Sequence, residues 1–255
     1  MKFVSIIILF FTLTLNARQQ NNDLFEGHSG TMVVYDLNKD EYLTINGERA
    51  ALRFTPASTF KIPNSLIGLE TGIIKDENFI IAWDGNKRWN QEWNRDHTLG
   101  SAIKLSVVPY YQELARRVGK EKMERFLSLM DYGNKTIGER VDSFWLDGSL
   151  VISADEQIDF MKKFYNYKLP VSKRSVDIVK KIMSEEKYSA SILKYKTGTG
   201  TKSSGEFIGW LVGYVEKGNE VFLFAFNVDA KTFDETMEIR TRLSRKILKE
   251  LKILE

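Results

Sequence analysis

The chain has no cysteine and only two histidines in 255 residues, and after its first seventeen residues it has no long apolar run. Without cysteine there are no disulfides to hold the fold and no lipid-carrying cysteine to anchor it. His28 and His97 lie far apart in sequence, with no His-x-x-x-His or Glu-x-x-His spacing, which disfavours a metal hydrolase. Asp36, Asp84, Asp96 and Asp147 show no tight pairing of the kind a two-carboxylate mechanism needs, and they read as turn, cap or surface positions. Charge of one sign is also scarce. A net +3 from 37 basic and 34 acidic residues, with no basic cluster interleaved with aromatics, argues against a nucleic-acid partner. What remains is an ordinary globular composition, 43% hydrophobic and 12% aromatic, in a chain long enough to bury a large core.

The start of the chain differs from the rest. Lys2 precedes the apolar run Phe3–Leu15, and Asn16-Ala17 leads into polar residues. A basic flank, a short apolar stretch and a small residue at the junction predict a secretory signal peptide over residues 1–17. The run is too short for a comfortable membrane span. The mature chain, residues 18–255, is therefore expected to be periplasmic or secreted, with no stable membrane anchor.

Patterning predicts one domain of mixed α and β structure. Gly30–Leu37 and Glu41–Ile45 flank Asn38-Lys39-Asp40, a β-hairpin signal, and 206–215 and 220–229 flank Lys217-Gly218-Asn219, another. Between these, from about residue 58 to 190, the pattern is helical, with irregular loops over 83–100 and 131–150. A final helix is expected from Asp234 to Ile253, with Leu243, Ile247 and Leu251 facing the core. Strands at both ends around a helical insertion imply a mainly antiparallel sheet, built from both termini and flanked by helices.

Ser58-Thr59-Phe60-Lys61 is the most informative stretch. A hydroxyl and an amine three residues apart share one helix face, so the lysine can take the serine proton. The pattern recurs at Ser101/Lys104, Ser184/Lys187 and Ser191/Lys194, so it is not specific by itself. Ser58 differs in following Pro56-Ala57 and in opening an apolar run (Phe60, Ile62, Leu66, Ile67, Leu69) that ends at Gly72. Free N–H groups at such a helix start suit a developing oxyanion. The plainer alternative is a capping serine with Lys61 in solvent.

Other motifs follow in order. Ser106-Val107-Val108-Pro109 offers a second hydroxyl, or simply a turn serine. Tyr132-Gly133-Asn134 is a turn signal. Lys196-Thr197-Gly198-Thr199-Gly200 ends a strand; it is either a carboxylate-binding strand edge or a hairpin with a solvent-facing lysine. Trp83, Trp89 and Trp93 in the loop 83–97 read as loop packing, with a cleft rim as the alternative.

Taken together, Pro56–Lys61, Ser106-Val107-Val108, Tyr132-Gly133-Asn134, Phe144-Trp145-Leu146-Asp147-Gly148 and Lys196-Thr197-Gly198 resemble the class D, or oxacillinase-type, serine β-lactamases. The resemblance runs from about Gly30 to Leu254. A class A enzyme has Ser-Asp-Asn as its second element, where this chain has Ser-Val-Val. The resemblance implies a β-lactam substrate attacked by Ser58, with the backbone N–H groups of Ser58 and Thr199 as oxyanion hole. It implies Lys61 as base, working as a carbamate formed with carbon dioxide and held by the indole N–H of Trp145, with no other cofactor. Ser106 would pass a proton to the leaving nitrogen. Lys196, Thr197 and Arg240 would bind the substrate carboxylate, with Val108 and Gly198 also lining the substrate site; Arg242 is the competing arginine.

Carbamate formation needs a neutral amine, and an exposed lysine is neutral only about 0.04% of the time at pH 7. An apolar pocket, for which Phe60, Ile62, Val108 and Leu146 are available, lowers that pKa. Two further readings share the motifs: a penicillin-sensing domain that holds its acyl group, and a small D,D-peptidase. The sequence leaves the oligomeric state and the range of β-lactams open.

Overall fold

The computed structural model describes residues 24–255, so the expected signal peptide lies outside the described residues. Both hairpins read from sequence are present. Strands β1 (Gly30–Asp36) and β2 (Glu41–Ile45) pair antiparallel, as do β7 (Phe207–Lys217) and β8 (Glu220–Ala230). The second turn is Gly218-Asn219, where Gly218 adopts φ 58°, the left-handed backbone that matches hairpin twist. Strand β6 (Ile192–Thr201) lies against β7, and β5 (Ser184–Lys187) pairs with its first half. The sheet order is β2-β1-β8-β7-β6-β5, antiparallel throughout. Strand β1 sits beside β8, so both ends of the chain build one sheet, as the pattern predicted.

Helices cover both faces. On one side lie α1 (Gly47–Ala50), α2 (Lys61–Glu70), α3 (Leu99–Lys104), α4 (Val108–Val118), α5 (Lys120–Met130), α6 (Ala154–Tyr165) and α7 (Lys173–Ile182). On the other lies α8 (Phe233–Glu250). The two-residue strands β3 (Ile80–Ile81) and β4 (His97–Thr98) pair outside the main sheet. Period-two alternation sorts the central strands between two cores. Val33, Tyr35, Ile208, Trp210, Val212, Leu223 and Ala225 face the helical lobe. Met32, Val34, Leu211, Val215, Phe224 and Phe226 face α8, which contributes Ile239, Leu243, Ile247 and Leu248. A strand buried on both faces reads as a continuous apolar run, which is why β7 and β8 are easy to see in the sequence.

Three expectations need correction. The helical insertion ends at Ile182, short of residue 190, because Ser-Glu-Glu-Lys187 forms an edge strand whose polar side chains carry no strand signature. Strands β3 and β4 also fall within the stretch read as helix and loop. The last helix stops at Glu250, and Leu251 packs on the core from just beyond it.

Gly209 sets how closely α8 lies on the sheet. A Cβ there would fall 2.8 Å from Thr236 Cγ2 and 3.0 Å from Arg240 Cβ. Gly209→Val should therefore cost about 1–3 kcal/mol of stability by overpacking, read as a lower urea midpoint, and should displace the α8 segment that carries Arg240.

Candidate active site

Ser58 sits in a 3-10 turn, Ala57–Phe60, that runs directly into α2. Ala57, just before it, has φ 47°, a left-handed conformation strained for a residue with a side chain. The turn is held because the Pro56 carbonyl accepts from both the backbone N–H of Thr59 (3.1 Å) and its hydroxyl (2.7 Å). One turn on, Lys61 Nζ lies 2.7 Å from Ser58 Oγ. Ser58 is half-buried and Lys61 wholly buried, so the lysine does not reach solvent. Its amine is 5.3 Å from the centre of the Tyr111 ring, and Phe60, beside it, packs on Phe144 and Trp145. Burial lowers the Lys61 pKa from 10.5 to about 7, so a large fraction of the amine is neutral at neutral pH.

Strand β6 brings the second group. Its pairing with β5 stops at Tyr195, so from Lys196 to Thr201 that side of the strand has no neighbouring strand. Gly198 allows the Ser58 turn to settle against this free edge: a Cβ there would lie 2.9 Å from the Pro56 carbonyl oxygen. Lys196 is buried and donates to Ser106 Oγ (3.1 Å) and to the Thr197 carbonyl (2.9 Å). Burial holds its pKa well below the usual lysine value, and the nearby Lys61 and Arg240 charges add to the effect. Ser106 itself has φ 55°, a second strained non-glycine residue, between α3 and α4.

Arg240 reaches the same place from α8. Its Nη1 donates to the Gly198 carbonyl (2.8 Å) and to the Thr199 hydroxyl, while its buried Nε has no partner among the described residues. Burial lowers its pKa to about 10, which still leaves it charged at neutral pH. Arg242 is exposed instead and pairs with Glu26 and Glu238.

These groups surround a cleft of ≈ 450 Å³, lined by Ser58, Ser106, Val108, Thr197, Gly198, Thr199 and Arg240. Lys61 and Lys196 stand behind its two serines. Trp145 is also behind the wall, next to the lining residue Leu146, and its buried indole N–H has no partner among the described residues. All the residues singled out for the site thus converge.

Residues 30–249 match the family described as the penicillin binding protein transpeptidase domain. Over 225 residues the chain is 48% identical to β-lactamase OXA-48 of Klebsiella pneumoniae, covering 88% of this chain and 84% of that one. The crystal structure of FUS-1 (OXA-85), a class D β-lactamase from Fusobacterium nucleatum subsp. polymorphum, superposes with TM-score 0.88 at 40% identity, covering 93% and 99% of the two chains. This chain belongs to the class D β-lactamases. It is also 35% identical over 203 residues to the regulatory protein BlaR1 of Bacillus licheniformis, but that match spans only 34% of BlaR1.

In this class D β-lactamase the Tyr132-Gly133-Asn134 motif stays out of the cleft. Tyr132 is buried, and Asn134 donates to the Ser149 carbonyl (2.8 Å) and accepts from the Val151 N–H (3.1 Å). The motif therefore braces the segment that carries Trp145. Asp147 ties the same segment by accepting from the Ser143 hydroxyl, a turn role as read from sequence. The other Ser-x-x-Lys copies go elsewhere. Ser101 closes a capping box with Thr98, Ser184 lies on edge strand β5, and Ser191 bonds the Glu255 carbonyl.

The sequence reading favoured loop packing for the tryptophans, but Trp89 and Trp93 form the cleft rim, where Trp89 meets Phe233 edge-on at 5.7 Å. Trp83 lies outside that lining. Asn90, Lys104, Phe233 and Met237 also line the cleft and were not singled out. Phe233, Met237 and Arg240 at i, i+4 and i+7 mark one helix face, a signal that could have found two of them.

Because the folded pKa of Lys61 is depressed, the unfolded chain binds more protons between pH 7 and 10.5, and stability rises with pH across that window. Lys61→Met should therefore be more stable than the parent in bicarbonate-free buffer at pH 7. The gap, on the order of a few kcal/mol, should close as pH approaches 10.5; parallel urea midpoints would contradict the buried neutral amine.

Proposed function

We propose that this chain hydrolyses β-lactam amides through an acyl-enzyme on Ser58, with carboxylated Lys61 as the base. The observation that carries this reading is the buried Lys61 amine, 2.7 Å from Ser58 Oγ and held near pKa 7 by its surroundings. A neutral amine adds carbon dioxide to give a carbamate and a proton. The indole N–H of Trp145, buried and without a partner, is a donor suited to a carbamate oxygen. The group fits the residues present.

The base takes the Ser58 proton as Oγ attacks the lactam carbonyl carbon. The resulting oxyanion is received by the backbone N–H groups of Ser58 and Thr199. The carbon–nitrogen bond then breaks, and Ser106 hands its proton to the ring nitrogen. Lys196, 3.1 Å away, resupplies that proton. The ring carboxylate is held by Thr197 and by Lys196 and Arg240, the latter a planar fork shaped for carboxylates. The proton taken from Ser58 refills the Lys196–Ser106 pair and so empties the base; water then gives that base a proton as it attacks the ester carbonyl, and the proton passes to Ser58 Oγ as the ester bond breaks. Activity of this kind confers resistance to β-lactam antibiotics, and it suits the exported location read from residues 1–17. Hydrolysis is favoured over retention of the acyl group because near-full-length similarity is to enzymes, while the regulatory relative is matched over a third of its length.

Ser58→Ala should abolish the penicillin adduct in intact-mass spectra, while the parent adduct should disappear within the time course; a persistent parent adduct would make this a sensor. Arg240→Ala should raise KM about 10-fold or more for carboxylate-bearing substrates, the scale of one lost charged contact, whereas Arg242→Ala should leave KM in place. Trp145→Phe should need more added bicarbonate than the parent for full turnover. A parent fully active in degassed buffer, with unmodified Lys61 by carbon-13 NMR, would remove the carbamate and leave Ser58 as nucleophile.

A further inference from the structure

The residues lining the cleft include no aspartate or glutamate, yet they include two cations, Arg240 and Lys104. Lys104 lies at the end of α3, is exposed, and makes no ion pair or hydrogen bond through its amine among the described residues. The acidic groups near it are engaged elsewhere. On its far side a second groove, lined by Lys104, Lys181, Met183, Ser184 and Glu185, holds one carboxylate. That carboxylate, on Glu185, is shared by Lys194 (3.2 Å) and Lys187 (3.7 Å), and Lys181 pairs with Glu77. Asn90, which also lines the cleft, accepts at its Oδ1 from the Glu92 N–H. Its Nδ2 donates to no other described residue.

Lys104 thus stands free at the mouth of a cleft whose interior groups, Lys196 and Arg240, are already placed for one carboxylate. We propose that Lys104, with the Asn90 amide that lines the same cleft, forms a second anion subsite that favours β-lactams carrying a further negative substituent beside the ring carboxylate. The proposal rests on the hydrolytic reading above. It names the substrate class that reading leaves open, namely dianionic penicillins and cephalosporins. An exposed lysine contributes modestly and through space, so the preference is small and sensitive to salt.

The test compares benzylpenicillin with its side-chain carboxylate counterpart, carbenicillin, as a ratio of kcat/KM. Lys104→Gln should lower the dianion-to-monoanion ratio about 3-fold, with the loss in KM, and Lys104→Arg should retain the parent ratio. About 0.5 M salt, where the Debye length falls to roughly 4 Å, should bring the parent ratio down to that of Lys104→Gln. If the parent hydrolyses benzylpenicillin and the ratio is the same in parent and Lys104→Gln, the subsite is overturned and the hydrolytic reading stands. If the parent turns over neither compound, both fall.

Discussion

The removal of one ammonium group from water organises this active site. A charged Lys61 amine, buried over the Tyr111 ring beside Phe60, pairs with no carboxylate among the described residues, and its desolvation is expensive. The least costly resolution is loss of the proton, which is also what makes the group a base. Lys196 is lowered in the same direction, first by its own burial and then by the nearby Lys61 and Arg240 charges. Had an acidic residue been placed among them, Lys61 would have stayed protonated and inert as a base.

The rest of the fold delivers that arrangement through close backbone approaches. Gly198 lets the Ser58 turn rest on β6, and Gly209 lets α8 rest on β7, so a single pair of strands fixes both the nucleophile and Arg240. Hydrogen bonds then lock the third wall. Thr55 donates to the Trp145 carbonyl and accepts at its own carbonyl from the Trp210 indole, linking the tryptophan segment to the sheet. Two residues in left-handed backbone, Ala57 and Ser106, stand at the points where the chain presents its two serines. Strain at both is tolerated because packed cores on each side leave no room to relax.

Most of this was legible where chemistry and local pattern coincide. Ser58 and Lys61 are neighbours on one turn, and Lys196-Thr197-Gly198 follows a strand signal, although β6 runs on through the motif to Thr201 instead of ending there. The two hairpins announce themselves through strand-forming runs on either side of short polar turns, Asn38-Lys39-Asp40 and Lys217-Gly218-Asn219. Strand β5 was invisible because Ser-Glu-Glu-Lys gains its structure only from the edge of β6, a tertiary effect. The Trp89–Phe233 contact and the exposed Lys104 escaped for a related reason. Each depends on segments far apart in sequence meeting across the cleft, and nothing local marks either residue. Tyr132-Gly133-Asn134 was recognisable as a motif, yet its role as a brace for the Trp145 segment could be seen only in three dimensions.

The early end of β5 has a consequence for solubility and the active site together. Past Tyr195 the sheet has an unpaired margin, the kind of backbone surface that commonly recruits a strand from another molecule. Here the Ser58 turn settles on that margin at Gly198, and Lys196 ties it to the α3–α4 connection through Ser106. The contacts that cover this free backbone edge against edge-to-edge association are thus the same ones that set the two serines beside it.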